Sequence, residues 1–556
     1  MFLNKNFTAV VLLTISLFCC LASFAQTNAA NPVRLSGKYR VELLLPKDGL
    51  HPGENTFAVS VSVSMGDGQA TLPALAARIS PALTMPAMAS MSIEAPTVSA
   101  GEKPGETKLT AKFPHSGAYQ LDLNIAPGDG KPFRVSFPLT AAGEMGKMSG
   151  MNSKNGGMSG MEMDGMSRMM APFAGVGMMQ QASGTSWEPA VAPMYGVMRQ
   201  SGRWNTMTHY NAFFSYDRQG GKRGDYQYNS TNWAMFMAEK PVGQDKIMLR
   251  AMLTLEPLTV TPGGFPLLLQ SGEQYDGKPL VDRQHPHDFF IEVAAKYTHP
   301  LGKDSAVFLY AAPAGEPALG PTAFMHRTSA MDNPAAPISH HWQDSTHIEF
   351  GVLTLGAWKR NVQVEGSYFT GREPNETRWD LSPFHPDSFS GRISYNPSPN
   401  WSLQASYGYL HSPELLRPNE DTRRSTASAS YILPRRDGGF WANSLIFGRN
   451  SAGGINSDAY LLESELNIAN RNSFFTRLEY VEKRGEELDI APADHKFGIT
   501  QWTLGYVHDV TPRNPFETGL GASVTFSAIP SDLKPLYGDN PTSFWLFVRI
   551  RPAPMR

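Results

Sequence analysis

The sequence predicts an all-β protein: a β-sandwich, a disordered methionine-rich linker, and an antiparallel transmembrane β-barrel of about sixteen strands. Three observations carry this reading. Alternating apolar and polar segments recur from residue 200 to the end, each near the roughly ten residues that a tilted transmembrane strand needs. The connections between them alternate short and long. Glycine (50) and proline (43) are abundant, and after the N-terminus no stretch offers the roughly 20 uninterrupted apolar residues of a membrane helix.

Residues 1–25 read as a signal peptide. Lys5 supplies the positive start, AVVLLTISLFCCLASF the apolar stretch, and Ser23-Phe24-Ala25 before Gln26 a cleavage site. The apolar stretch is short for a bilayer anchor. Cys19 and Cys20 are the only cysteines and both fall here; Leu17 and Phe18 before them do not suit a lipoprotein signal. A mature chain would therefore have no disulfide, no thiolate metal site and no cysteine nucleophile. Charged residues make up 18% and the net charge is −2, so no basic stripe marks a nucleic-acid partner. No G-x-S-x-G motif stands between a strand and a helix, and the chain reads as non-enzymatic.

Residues 33–140 hold the runs VRLSGKYRVELLL, NTFAVSVSVS, TKLTAKF, AYQLDLNIA and FRVSFPL, separated by Gly, Pro and Asp. Such short alternating strands suit a β-sandwich. Within them TMPAMASMSI sets Met85, Met88 and Met91 at three-residue spacing, and FPHSGAY contains His115. Thioether sulfur suits Cu(I), which makes these four residues candidate ligands. The other reading is that the methionines fill gaps along an apolar edge. The region resembles the YtkA-like (FixH-like) domain family in Met85-Pro86-Ala87-Met88 and in Pro114-His115-Ser116-Gly117-Ala118-Tyr119 before LDLNI. Ala89 and Ser90 stand where that family has Gly-His. The resemblance implies an immunoglobulin-like β-domain of the kind found beside heavy-metal transport systems.

Residues 141–199 read as a Met/Gly/Ser-rich linker. GEMGKMSGMNSKNGGMSGMEMDGMSRMM has almost no β-branched residue and cannot bury enough surface to fold alone. Met145, Met148, Met151, Met158, Met161, Met163, Met166, Met169 and Met170 place soft donors along a tether, candidates for weak, exchanging capture of Cu(I) or Ag(I). No histidine accompanies them, so tight Cu(II) binding is not expected there.

Residues 200–556 read as the barrel, from THYNAFFSYD to SFWLFVRIR. The connections EKPVGQD, PLGKD, KRN, PSPN, PRRDGG, NRN and TPRNP are short, whereas 258–286, 312–344, 371–387, 411–423 and 482–496 are long. Bacterial outer-membrane barrels have short periplasmic turns and long outside loops, and an even strand number leaves both ends of the barrel periplasmic. Trp233, Trp358, Trp401, Trp502 and Trp545 suit interfacial girdles. The expected location is the outer membrane, with its lipid as partner and residues 33–140 in the periplasm. Asp282, His285, His287 and Asp288 stand in VDRQHPHDFF; His326, His340, His341, Asp344 and His347 stand in FMHRTSAMDNPAAPISHHWQDSTH. Both stretches belong to long outside loops that can fold into the lumen. His285, His287, His340, His341 and His347 are therefore candidate ligands for Zn(II) or Cu(II). The other reading is a polar plug of ion pairs that includes Arg283, Glu316, Arg327, Glu349, Arg372 and Glu373.

The succession of signal peptide, methionine-rich segment and barrel is similar to the copper-resistance protein B family. The loops HPHDFF, GEPALGPTAFMHR and HHWQDSTH look like those of uncharacterised proteobacterial outer-membrane proteins. These resemblances imply copper or silver resistance, capture or efflux, with periplasmic metal chaperones or efflux components as partners. The alternative is a porin or channel for small solutes with no metal role.

Overall fold

The computed structural model describes residues 33–555 except 37–38, 47–49, 65–70, 74–76, 85–92, 102, 115–116, 129–130, 142–171 and 511–515. The described residues fall into two compact units that divide at residue 155. The signal peptide at 1–25, Met85, Met88, Met91, His115 and the linker methionines from Met145 to Met170 lie outside the described residues.

In the first unit the alternating runs form two antiparallel sheets. One runs in the order Val33–Ser36, Tyr39–Leu44, Gly53–Ser64, Glu106–Phe113, Thr97–Ala100, and Thr71–Pro73 also pairs with Gly53–Ser64. The other joins Arg78–Thr84, Gly117–Ala126 and Phe133–Ala141. Because strand side chains alternate with a period of two, Val41, Leu43, Val59, Leu109, Leu121, Leu123, Ile125 and Phe137 share one buried core.

In the second unit each of the expected barrel segments becomes a strand. They are β1 (Trp204–Arg218), β2 (Tyr226–Val242), β3 (Asp245–Leu253), β4 (Phe290–Gly302), β5 (Ser305–Gly315), β6 (Glu349–Lys359), β7 (Val362–Thr370) and β8 (Ser388–Tyr395). The series continues with β9 (Trp401–Leu410), β10 (Thr422–Pro434), β11 (Phe440–Ala452), β12 (Ile455–Ile468), β13 (Asn472–Arg484), β14 (Lys496–Asp509), β15 (Phe516–Ala528) and β16 (Thr542–Pro552). Each pairs antiparallel with the next, and β16 pairs with β1 from Ala212↔Ile550 to Arg218↔Phe544. The sheet is therefore closed and leaves no free edge. A further short strand, Val197–Ser201, folds back on the start of β1.

At one end the connections are turns such as 243–244, 303–304 and 360–361; at the other they are loops, including 254–289, 316–348, 371–387 and 411–421. The exception is 453–454, a two-residue turn at the loop end, where Gly453 (φ 57°) and Gly454 (φ 79°) take the left-handed backbone of a tight hairpin. The wall is inside-out relative to a soluble sheet. In β8, Ser388, Ser390, Arg392 and Ser394 are buried, while Phe389, Ile393 and Tyr395 are exposed. Leu355, Leu445, Phe474 and Leu546 also point outward. An apolar outer band around a polar interior is the pattern a transmembrane barrel requires.

The lumen is packed with chain. Loop 316–348 enters it: Arg327 is paired to Glu463 on β12, Ser339 Oγ donates to Glu479 on β13 at 2.7 Å, and Trp342 Nε1 donates to Ser457 Oγ at 2.8 Å. The stretch 172–199 also runs through the interior. The wall residues Arg250, Gln363, Asn396 and Ser402 donate to the backbone carbonyls of Ala182, Thr185, Glu188 and Trp187 at 2.8, 2.8, 2.9 and 2.9 Å. The expected linker thus gives way to ordered chain from residue 172, buried or half-buried over 176–178 and 180–192. These residues make almost no ladder of their own; polar side chains of the wall satisfy their backbone, which a reading of local periodicity does not reveal.

Candidate metal centre

Loops 254–289 and 316–348 both turn inward, and they bring His285, His287, His340, His341 and His347 together as buried residues. A single helical turn, His340–Gln343, followed by a tight turn at Ser345–His347, sets three of the rings side by side. Ring centroids lie 5.4 Å apart for His340–His341, 5.1 Å for His340–His347, 5.3 Å for His287–His347, 5.9 Å for His285–His287 and 6.4 Å for His285–His341. Asp282 and His326 of the same motifs stand apart, whereas Asp288 lines the same cavity as the five histidines. Asp282 pairs with Arg223 at 2.7 Å and Asp288 with Arg378 at 3.0 Å, while His326 turns toward β1–β3. Of the residues named for the ion-paired plug, Arg327 pairs with Asp344 and Glu463, Glu373 with His341 and Glu316 with Arg392, so ion pairs surround the histidines as well.

The hydrogen-bond pattern sets the chemistry. His287 Nδ1 lies 2.8 Å from Glu256 Oε2, His340 Nδ1 lies 2.7 Å from Asp344 Oδ1, and His347 Nδ1 lies 2.8 Å from the backbone oxygen of Asp344. A neutral ring that donates through Nδ1–H keeps its lone pair on Nε2. For His287, burial alone would lower the imidazole, but Glu256 raises it above its usual range, so a metal there displaces a proton from Nε2. The Nε2 atoms of His287 and His347 are buried with no hydrogen-bond partner among the described residues. An imidazole fixed through Nδ1 by a carboxylate or a carbonyl is the usual outer-shell arrangement of a histidine metal ligand.

Beside these rings, Glu273, His285 and His341 offer donor atoms that all lie within 4.8 Å of one another. His285 faces an acceptor on each side: Pro286 O at 3.0 Å from Nδ1 and Glu273 Oε1 at 2.6 Å from Nε2. The ring therefore needs either a second proton or another cation at Nε2. Burial works against the proton, because it holds His285 below its usual range. Burial likewise brings His340 and His341 down to about 4, so both rings are neutral near pH 7. Burial alone would raise Glu273, but His285 and Arg378 hold its carboxyl well below the usual range.

Glu273 and Glu373 also line a cavity of about 220 Å³ with Glu376, Glu414, Glu486, Glu487, Arg378 and Arg417. It sits among the loops; burial pushes Glu373 and Glu414 up to about 8 and Glu487 up to about 7, so only part of its six glutamates is charged near pH 7 against the two arginines. Sequence reading named Glu373 only as part of the polar plug and missed Glu256, Glu273, Glu376, Glu414, Glu486 and Glu487, because these carboxylates are scattered over four loops with no spacing pattern.

The fold and these inward loops define a plugged, closed barrel of the outer-membrane type. No protein-family model matches the chain, and no curated protein matches it. Solved porin-type barrels are similar. The anion-selective porin from Comamonas acidovorans is 12% identical over 63% of this chain and 99% of its own, with a TM-score of 0.41. OmpF of Salmonella typhi, solved with daunomycin, is 7% identical over 64% and 100%, with a TM-score of 0.41. The outer membrane channel DcaP of Acinetobacter baumannii is 8% identical over 64% and 100%, with a TM-score of 0.39. At these values the assignment of the fold rests on the strand register and closure described above.

Proposed function

We propose that the protein is an outer-membrane metal-handling barrel that takes Zn(II) or Cu(II) at the histidine–glutamate cluster of its lumen. The observation that carries this reading is the set of buried imidazoles whose Nδ1 atoms are held by Glu256 and Asp344, with the Nε2 atoms of His287 and His347 left unpartnered. The acidic cavity beside Glu273 and Glu373 supports it as an entry for cations. The resemblances of 33–140 to YtkA-like domains and of the architecture to copper-resistance protein B barrels are in keeping with a role in copper or silver resistance, capture or efflux. In that scheme the linker methionines capture Cu(I) or Ag(I), and periplasmic metal chaperones or efflux components exchange metal with them.

Equilibrium dialysis of the full chain in detergent against Zn(II) and Cu(II) tests the reading. Wild type should retain metal, and His287→Ala/His347→Ala and His285→Ala/His341→Ala should each lose part of it. No retention by wild type, or equal retention by all three, sinks it. The second reading, a channel for small solutes, draws on the closed barrel and its polar wall; the packed lumen speaks against an open pore.

A further inference from the structure

A second cluster stands on the barrel wall, separate from the loop histidines. On adjacent strands β1, β2 and β3, His209 is directly opposite Met235, and Met235 is directly opposite Met252. All three side chains face inward. His326 descends from loop 316–348 onto them. His209 Nε2 lies 3.1 Å from Met235 Sδ, and His326 Nε2 lies 3.2 Å from Met252 Sδ. The two imidazole rings are 5.5 Å apart, and Trp233 packs against both at 5.0 and 4.7 Å. His209, Trp233, Met235 and His326 line a cavity of about 120 Å³. One inward position nearer the turn end, Met207 faces Met237 across β1 and β2, and both pack with Met178 and Met248.

Ordinary core packing places a methionine beside an aromatic face. Here each imidazole Nε2 sits at N–H···S hydrogen-bond distance from a thioether sulfur, a contact that a bound ion would replace, and His209, Met235 and His326 border one shared cavity. Two sulfurs and two nitrogens are neutral donors of a soft to borderline kind. Such a set favours a soft monovalent ion over Zn(II), which prefers thiolate, imidazole and carboxylate. Arg250 lines the same cavity, and a fixed guanidinium penalises a divalent ion more than a monovalent one. The indole face of Trp233 adds a favourable surface for a weakly hydrated cation.

We propose that His209, Met235, Met252 and His326 form an internal site for a soft monovalent metal ion, Cu(I) or Ag(I), inside the barrel wall. The site does not depend on the divalent cluster among the loops. The inward methionines at 207, 237 and 248 form a thioether track between it and the turn end of the barrel.

The test is X-ray absorption of the full chain in detergent, loaded anaerobically with one equivalent of Cu(I), together with Ag(I) titration. Because the linker methionines bear only sulfur, and Met85, Met88, Met91 and His115 are a second candidate Cu(I) set outside the barrel, a variant with Met85, Met88, Met91 and Met145 to Met170 changed to leucine isolates the lumen site. That variant should still bind one ion, with nitrogen and sulfur both in its shell. Adding Met235→Leu/Met252→Leu should remove the sulfur and weaken binding beyond the roughly 10–100-fold expected from losing an outer-shell contact. An all-sulfur shell in wild type together with no binding by the linker variant overturns the proposal. So does unchanged affinity in the Leu/Leu variant. If that variant does not fold, the shell of the linker variant decides alone. Zn(II) retention is measured in parallel: its loss with Cu(I) binding intact would refute the loop-histidine reading and leave this one standing.

Discussion

Arg327→Met isolates what holds the plug in the lumen. Arg327 is 1% exposed. Its Nε and Nη2 donate to the two carboxylate oxygens of Glu463 at 2.6 and 3.1 Å, and its Nη1 donates to Asp344 Oδ2 at 2.8 Å and to Thr322 O at 2.9 Å. Methionine has similar length and no donors. Glu463 keeps Arg477, whose Nε lies 2.9 Å away, but Asp344 is left with His340 as its buried partner. Burial alone would raise the Asp344 carboxyl; Arg327 and His340 together hold it well below the usual range. Removing one member of a buried ion pair costs about 3–5 kcal/mol, and the retained Arg477 points to the lower end. The strand ladder of the wall does not depend on this contact, so the cost should appear as local opening of 316–348. About 3 kcal/mol is a rise of roughly 100-fold in the open population. Hydrogen exchange by mass spectrometry in lipid nanodiscs reads this directly. Peptides covering 339–347 should exchange roughly 100-fold faster, with β12 and β13 unchanged. A change smaller than about threefold, worth less than ~0.7 kcal/mol, would show that the loop is held by packing and not by this network.

Gly272→Ala should disturb the loop histidines without replacing a ligand. A Cβ there would sit 2.5 Å from His341 Cγ, at a φ of +126° that a side chain resists, so His341 must shift. Zn(II) affinity by dialysis should fall by at least about tenfold while the barrel stays folded. Leu355 is 67% exposed near the middle of β6; Leu355→Arg should cost about 2–4 kcal/mol in denaturant titrations of the protein folded into vesicles. An unchanged midpoint would place that residue away from lipid. In planar bilayers the wild-type chain should carry little ion current, and deletion of 316–348 should open it; equal currents would show that the plug does not occlude the pore.

The sixteen strands were legible because alternation with a period of two is written locally, residue by residue, and because loop lengths alternate along the chain. The loop histidines were legible for a similar reason: HPHD and SHHWQDSTH are dense in one residue type. Their carboxylate partners Glu256 and Glu273 were not, since they are isolated acids until the loops fold against one another, and Glu373 was legible only as a plug residue. His209, Met235 and Met252 each read as one more inward residue of an ordinary strand; only the register of β1, β2 and β3 lines them up. The stretch 172–199 carries no periodicity because its hydrogen-bond partners lie on the wall, far along the chain. Local patterning therefore determined the barrel, its turn and loop ends and the inward histidines. Cross-strand register and loop docking decided which side chains meet, because both are set by contacts between residues that are distant in sequence.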